Sequence, residues 1–289
     1  MRPLKTLLLA ATAAVGLTAA APMAHAAGAP AAIEDFDFPF EGPLGTYDRD
    51  QLQRGLQVYT EICSACHGLR LVAFRTLADP GGPSYSEDEM RAYAETFEIY
   101  DAEIDDWRPA TPTDHYPGSL LENAPDLSLM AKARAGFSGP YGTGINQLVQ
   151  GIGGPEYIAS LLIGYVETPE CGLDADLDGA YNKYFTAGAI PDSCKDEDGN
   201  SLVDGSWIAM GQPLWGDDVF YADETEATIE QQAEDVAAFL MWAAEPKLAA
   251  RKQAGLTGVG LLALLAVMLY LTNKQLWAPI KHRQRPDDE

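Results

Sequence analysis

The pentapeptide Cys63-Ser64-Ala65-Cys66-His67 is the most informative stretch of this 289-residue chain. It matches C-x-x-C-H, the attachment motif of a c-type haem. Two cysteines at this spacing can form thioethers with both vinyl groups of one porphyrin, and the histidine that follows can bind the iron from one side. The motif therefore predicts one covalent haem c, held through Cys63 and Cys66, with His67 as an axial ligand.

Two other chemistries use a C-x-x-C pair. A thioredoxin-like redox pair normally follows a β-strand, whereas the residues before Cys63 predict a helix. A zinc site needs two more ligands at matching spacing, and the sequence offers none. The pattern therefore favours haem over both.

The second axial ligand is expected to be a methionine or a histidine. Met90, Met130 and Met241 lie within predicted helices, where methionine usually fills the core. Met210 lies in a predicted loop before the last helix of the domain, and a loop can bring its sulfur to the iron. Met210 is therefore the first candidate, and His115, in a polar loop, is the alternative.

The N-terminus has the features of a secretory signal peptide. Arg2 and Lys5 precede an apolar run, and Ala24-His25-Ala26 is an A-x-A cleavage site. Residues 1–26 are therefore predicted to be removed, and residues 27–246 to form an exported domain.

The C-terminus predicts a single membrane anchor. Residues 253–273 carry no charged side chain, and a helix of that length covers roughly 30 Å, the thickness of a bilayer core. We assign 247–273 to the anchor with its basic lead-in and 274–289 to a basic tail. Because the signal peptide exports the N-terminal domain, the tail is expected to stay in the cytoplasm.

The exported part is strongly acidic. Between Ala27 and Pro246 it has 40 Asp and Glu against 10 Lys and Arg, a net charge of −30. Much of this charge solvates the surface, but it also favours docking of a basic partner by long-range attraction. The same sign excludes nucleic acid as a partner.

Cys171 and Cys194 remain after the haem motif is assigned. In an exported protein such a pair is expected to form a disulfide, although spacing alone leaves two free thiols as an alternative. The acidic run from Asp174 to Asp178 resembles half of a calcium loop. Phe185 stands where such a loop needs a glutamate, so a solvated loop is the better interpretation.

Hydrophobic periodicity predicts a mainly α-helical domain with few strands. The segment from Ser138 to Gly154 is rich in glycine and is interpreted as an insertion, and 105–120 as a surface loop. The predicted helices begin near Asp48 and run over 86–100, 124–134, from 155 onward, and 225–244.

Several stretches resemble the cytochrome c1 family, the c-type haem subunit of the cytochrome bc1 complex. They extend over nearly the whole chain after residue 26, and small soluble cytochromes c share only the haem motif. The stretches are Arg54-Gly55-Leu56-Gln57-Val58-Tyr59, Pro125-Asp126-Leu127-Ser128, Ala133-Arg134, Tyr157-Ile158, Gly164-Tyr165 and Asp235-Val236-Ala237-Ala238-Phe239-Leu240-Met241-Trp242-Ala243-Ala244-Glu245-Pro246.

The resemblance implies a site and a fold. His67 and Met210 would be the axial ligands, Arg134 would lie near a haem propionate, and Tyr157 would line the pocket. The fold would be mainly α, a cytochrome c-like haem domain with long insertions plus one C-terminal transmembrane helix. One departure concerns the Met210 loop, because the family usually has Pro-Pro after this methionine and here Gly211-Gln212 intervene.

The resemblance also implies a function and a location. The chain would take electrons from a Rieske iron–sulfur protein and pass them to a soluble, basic cytochrome c. It would be no enzyme on its own, but a subunit of a quinol–cytochrome c oxidoreductase with cytochrome b, in a complex that is dimeric. It would lie in a bacterial inner membrane, with the haem domain in the periplasm.

Two other functions stay open. One is a free-standing anchored cytochrome c that donates electrons to a terminal oxidase. The other is a haem-based gas sensor or peroxidase, which needs an open coordination position on the iron.

Overall fold

The computed structural model describes residues 33–134, 147–175 and 177–283, and within them the chain is mainly helical. The predicted signal peptide, 1–26, and most of the predicted glycine-rich insertion lie outside the described residues. The helices are α1 (Arg49–Glu61), α2 (Glu87–Ala94), α3 (Met130–Ala133), α4 (Gln147–Gln150), α5 (Gly154–Ile163), α6 (Ile229–Ala244) and α7 (Leu248–Arg283). The strands are β1 (Glu98–Asp101), β2 (Asp106–Pro109), β3 (Ala180–Asn182) and β4 (Ser206–Ile208).

Helix α1 begins where the sequence predicts. The Asp48 side chain caps it by accepting a hydrogen bond from the backbone N–H of Gln51. Leu52, Leu56 and Tyr59 form its buried face. The helix ends at Glu61, and a 3-10 turn over Cys63–Ala65 carries the chain into the haem motif.

The main hydrophobic core forms where α1 crosses α6. Gly55 lies at the crossing and lets the two backbones approach closely, because a Cβ atom there would lie 2.0 Å from the carbonyl oxygen of Asp235. Phe239 and Trp242 of α6 are buried beside it, and the Phe239 ring packs 5.7 Å from the ring of Tyr59. This crossing fixes the end of α1, and with it the position of the motif.

The predicted helix over 86–100 is wrong in its second half. Helix α2 begins as predicted, with a capping box between Ser86 and Glu89, but it ends at Ala94. The chain then forms β1, which pairs antiparallel with β2 around a turn in which Asp105 has a φ of 55°. Strand β2 therefore occupies the start of the predicted loop over 105–120. The pairing of β1 with β2 overrides the weak helical pattern at the end of 86–100.

The predicted helix over 124–134 shrinks to one turn, α3. Before it, the Asp126 side chain accepts hydrogen bonds from the backbone N–H groups of Ser128 and Arg70. These bonds hold the backbone in a turn that competes with the helix. After the turn Arg134 is extended, with ψ 135°.

Helix α6 begins four residues later than predicted. Thr228 caps it by accepting from the N–H of Gln231. Asp223, just before the predicted start, accepts from the N–H of Thr225 and forms an ion pair with Arg54. Helix α5 begins close to the predicted position, with Pro155 in its first turn.

A second, smaller core surrounds the predicted disulfide. Cys171 and Cys194 are bonded, with their Cα atoms 5.2 Å apart. Cys194 packs with the buried side chains of Tyr181 on β3 and Trp207 on β4, whose rings lie 4.9 Å apart. The disulfide prediction is confirmed.

Helix α7 contains the predicted anchor. It is the one described helix that is long and apolar enough to cross a membrane, over Leu248–Ile280, and an 18-residue stretch of it has a mean hydropathy of 2.2. Its apolar side chains, such as Leu264 and Leu269, are exposed. The helix continues through Pro279 to Arg283, so its backbone has no break at residue 273, where the anchor was predicted to end.

Candidate haem site

The C-x-x-C-H motif folds into a tight turn at the end of α1. The backbone N–H groups of Cys66 and His67 both donate to the carbonyl oxygen of Cys63, at 3.1 and 2.9 Å. This turn holds the two cysteines and the histidine in one compact unit. Both thiols are free of disulfide bonds and half-buried, as attachment to a porphyrin requires.

The imidazole of His67 has a fixed orientation. Its Nδ1 atom lies 2.8 Å from the carbonyl oxygen of Pro125, an acceptor, so Nδ1 carries the proton and donates it. The other ring nitrogen, Nε2, is then the unprotonated one that can bind a metal. Metal-binding histidines in proteins are oriented in this way.

The segment from Pro125 to Ser128 is tied to the residues after His67. The N–H of Leu127 donates to the carbonyl of Gly68 at 2.8 Å, and the Ser128 hydroxyl accepts from the N–H of Leu71 at 3.1 Å. These bonds hold the Pro125 carbonyl in register with the imidazole. The sequence indicates Pro125–Ser128 only through the family resemblance. The contact of the Pro125 carbonyl with His67 could not be predicted, because a backbone carbonyl leaves no signal in a single sequence.

The pKa of the Cys63 thiol is shifted away from that of a redox-active cysteine. Burial, and then the neighbouring Cys66, raise the pKa of the Cys63 thiol to about 12. A redox-active thiol needs the opposite shift, because the thiolate is the reactive form. Within the described ranges, no group of three or more His, Cys, Asp and Glu side chains is arranged to hold a metal ion.

Met210 lies two residues after β4, as the loop prediction required. It is half-buried, and its backbone carbonyl accepts a hydrogen bond from the Tyr165 hydroxyl at 3.2 Å. After Gly211, the side-chain amide of Gln212 donates to the carbonyl of Leu214 at 2.8 Å and closes the following turn. Gly211 and Gln212 therefore lie in a loop that the side-chain hydrogen bond of Gln212 stabilises.

The other ligand candidates occupy different surroundings. Met90 and Met241 are each 5% exposed in the main core, and Met130 packs against the same core. The predicted filler role of these methionines agrees with their burial. His115 is exposed, and its backbone bridges to Ala73.

Arg134 and Tyr157, far apart in the sequence, are neighbours. The guanidinium carbon of Arg134 lies 5.8 Å from the centre of the Tyr157 ring. Arg134 follows α3 and is exposed, and Tyr157 lies half-buried in α5. An exposed guanidinium beside an aromatic ring can bind a carboxylate while it stays packed against the ring.

Exposed leucines lie in the chain segments that are bonded to the motif region. The N–H of Leu120 donates to the carbonyl of Cys66 at 3.1 Å, and the N–H of Leu71 donates to the Ser128 hydroxyl at 3.1 Å. Leu120 and Leu71 are each more than half exposed. Exposed apolar side chains beside two thiols and an oriented imidazole fit the apolar face of a porphyrin.

Comparisons with known proteins point to one family. The sequence profile of the Cytochrome C1 family matches residues 38–280. Cytochrome c1 of Cereibacter sphaeroides is 56% identical over 284 residues, covering 98% of this chain and 99% of the relative. A cytochrome c1 of Rhodobacter capsulatus is 51% identical over 281 residues, covering 96% of this chain and 99% of the relative. Cytochrome b/c1 of Bradyrhizobium diazoefficiens is 36% identical over 260 residues, covering 83% of this chain but 34% of that longer protein.

Proposed function

Because the chain belongs to the cytochrome c1 family, we propose that it takes electrons from a Rieske iron–sulfur protein and passes them to a soluble cytochrome c. Family membership makes it an electron-transfer subunit of a cytochrome bc1 complex, with a c-type haem and a membrane anchor. The chain itself carries electrons, and the reaction is catalysed by the whole quinol–cytochrome c oxidoreductase.

Each proposed site residue has a physical role toward the haem, whose iron supplies one-electron chemistry when bound. Cys63 and Cys66 attach a single haem. His67 and Met210 would bind the iron, and a thioether ligand favours a higher reduction potential. Arg134 would pair with a propionate, and Tyr157 would line the pocket.

One observation carries the proposal: the 2.8 Å contact between His67 Nδ1 and the Pro125 carbonyl, next to two unpaired thiols. It fixes the tautomer that binds iron and limits rotation of the ring. A rigid ligand lowers the structural change that accompanies electron transfer, which suits a relay.

The partners follow from family membership and from charge. A relative named cytochrome b/c1 supports cytochrome b as a neighbour of this chain. The net charge of −30 on residues 27–246 supports docking of a basic cytochrome c, because opposite fields speed encounter and permit fast release. We further propose that the complex is a dimer and contains a Rieske subunit.

The proposed topology places the haem domain outside the cytoplasm of a bacterium. Residues 1–26 are removed as a signal peptide, and 27–246 lie in the periplasm. Residues 247–273 cross the inner membrane, and 274–289 remain in the cytoplasm.

Purification of the full-length chain in mild detergent tests the assignment. We expect cytochrome b and a Rieske subunit to co-purify, and a reduced-minus-oxidised spectrum to show one haem c per chain. Quinol is expected to reduce the haem, and added basic cytochrome c to oxidise it at a rate that falls with ionic strength.

Two outcomes would contradict the proposal. A chain that purifies alone and donates directly to a terminal oxidase would instead be a free-standing carrier. Absence of a covalent haem after denaturation would remove the basis of every role above.

A further inference from the structure

Two glutamates meet beneath the surface at a place that the haem site does not use. Glu41 lies in the segment 33–47 before α1, and Glu156 lies in the first turn of α5. Glu156 is only 1% exposed. Among the described residues, no donor group of a third residue reaches either carboxyl oxygen of Glu156 or the buried Oε1 of Glu41.

The two side chains converge on one point beside Gly151. A Cβ atom at residue 151 would lie 3.6 Å from Oε1 of Glu41 and 3.9 Å from Oε1 of Glu156. Two carboxyl oxygens therefore reach the same small volume from different parts of the chain. Gly151, with φ 76°, keeps that volume free of a side chain.

The charges around the pair are mostly negative. Asp35 and Asp37 lie near enough to repel a charge on Glu41. A nearby cation, Lys252, donates its ammonium to the carbonyl oxygens of Phe40 and Gly45, at 2.5 and 3.4 Å, and not to either carboxyl group. Two buried carboxylates without a cationic partner are costly, so the site needs a positive species.

A proton alone meets this need only in part. Burial, and then the adjacent Glu156 carboxyl, raise the pKa of Glu41 to about 9, and burial raises the pKa of Glu156 as well. One shared proton makes one hydrogen bond between two carboxyl groups. It leaves one of the three buried oxygens of the pair without a partner, whereas buried polar atoms are normally satisfied.

We propose that Glu41 and Glu156 bind a divalent cation of the hard, oxygen-preferring class, with Ca²⁺ as its representative. Ca²⁺ takes six to eight oxygen ligands at about 2.3–2.6 Å, and it accepts both oxygens of one carboxylate together with backbone carbonyls and water. The site offers no histidine or cysteine, which copper and zinc prefer. The carboxyl oxygens of Glu156 and Glu41 supply the charged ligands.

A surface depression borders the Glu41 side of the pair. Its volume is about 550 Å³, and Asp35, Phe36, Asp37, Gln150 and Glu41 are among its lining residues. Gln150 holds Asp35 at the rim through a 2.9 Å hydrogen bond. The acidic rim attracts cations toward Glu41, whereas Glu156 lies behind it and is buried.

The bound cation connects two parts of the fold. It joins the segment 33–47, which has no regular helix or strand, to Glu156 in the first turn of α5. Tyr157 is the next residue of that helix. The proposed site therefore steadies the helix that carries a proposed haem-pocket residue, without touching the haem.

Calcium binding to the purified, chelator-treated membrane protein tests the proposal by equilibrium dialysis. We expect one saturable site per chain above a weak background, with a Kd at or below the order of 10⁻³ M, the range of extracellular calcium modules. Glu156→Gln and Glu41→Gln should each weaken that site at least tenfold. The matched control is Glu103→Gln, which removes the same charge from an exposed turn and should change the affinity less than twofold.

Hydrogen exchange in the unmodified protein gives a second readout that needs no variant. Ca²⁺ should slow exchange in residues 33–47 and the first turn of α5, and Mg²⁺ should do so less. The haem spectrum serves as the folding control. Equal binding by wild type and the Glu41→Gln/Glu156→Gln double variant, or no calcium-dependent protection, would overturn the proposal and leave the haem assignment intact.

Discussion

Gly55 of α1 and Asp235 of α6 are in backbone contact, so close that a Cβ atom at residue 55 would lie 2.0 Å from the Asp235 carbonyl oxygen. The same pair of helices is joined by Arg54, whose guanidinium binds the fully buried Asp235 carboxylate. Gly55 therefore sets how closely α6 approaches α1, and Arg54 neutralises the buried Asp235 carboxylate. This crossing holds the helix that leads into the haem motif.

Gly55→Ala is expected to destabilise the protein by at least about 2 kcal/mol, because the added methyl group meets backbone that cannot move aside cheaply. The measurement is urea unfolding of the detergent-solubilised chain. Gly118→Ala is the control, since a Cβ there has nothing within 4 Å, and it should stay within about 0.5 kcal/mol of wild type. Equal effects of the two substitutions would contradict the close approach.

Arg54→Met is expected to cost about 3–5 kcal/mol, because it leaves the buried Asp235 charge without its partner. A double change, Arg54→Met with Asp235→Asn, should recover part of the loss. Arg49→Met is the comparison: its ion pair with Asp50 is exposed, and such pairs contribute about 0–1 kcal/mol. Thermal unfolding curves of the four proteins measure the difference.

Met210→Leu is expected to lower the haem reduction potential by on the order of 0.1 V, a fraction of the ~0.8 V range that axial ligands span. It should also let carbon monoxide bind rapidly to the reduced protein, because leucine has no atom that binds iron. Met90→Leu, a similar change in the buried core, should alter neither property. An unchanged potential in Met210→Leu would rule this ligand out.

Stability in the presence of a chelator is expected to fall as the pH rises from about 4.5 toward 9. The pKa of Glu41 is raised to about 9 in the folded chain from 4.5, chiefly by burial, so the folded state holds its proton more tightly than the unfolded chain. That contribution is fully present at low pH and is lost as Glu41 ionises. In Glu41→Gln the unfolding midpoint should depend less on pH over this window; an unaltered pH profile would contradict the raised pKa.

Replacing both Cys171 and Cys194 by serine is expected to lower stability by roughly 3 kcal/mol, the chain-entropy value for a loop of this size. The change should be local to the small core, so Trp207 fluorescence should report unfolding at lower urea than circular dichroism of the helices does. Coincident transitions would show that the two cores unfold together.

Much of the secondary structure follows from local signals, and its errors have local causes. The helices capped by Asp48 and Ser86 begin where predicted, since a helix start depends on a few adjacent residues. The end of α2 and the start of α6 were mispredicted. Pairing of β1 with β2 decides the first. The cap that Thr228 provides decides the second, while Asp223 pairs with Arg54.

The site residues also fall into two groups, those evident from adjacent sequence and those that only the fold brings together. Cys63, Cys66 and His67 form a contiguous motif, so their chemistry is evident from the sequence. Pro125 leaves no such signal, because it acts through a backbone carbonyl 58 positions away. Met210, Arg134 and Tyr157 were named partly by family resemblance; the structure adds that Arg134 and Tyr157 are in contact.

The sequence by itself determined the haem motif, the apolar anchor, the acidic charge and the family, because each is a property of neighbouring residues or of composition. Only the tertiary structure decided which tautomer His67 takes, how closely α1 approaches α6, and that Glu41 and Glu156 face each other unpaired. Those features are contacts between residues distant in the chain, and burial, not local preference, sets their energies.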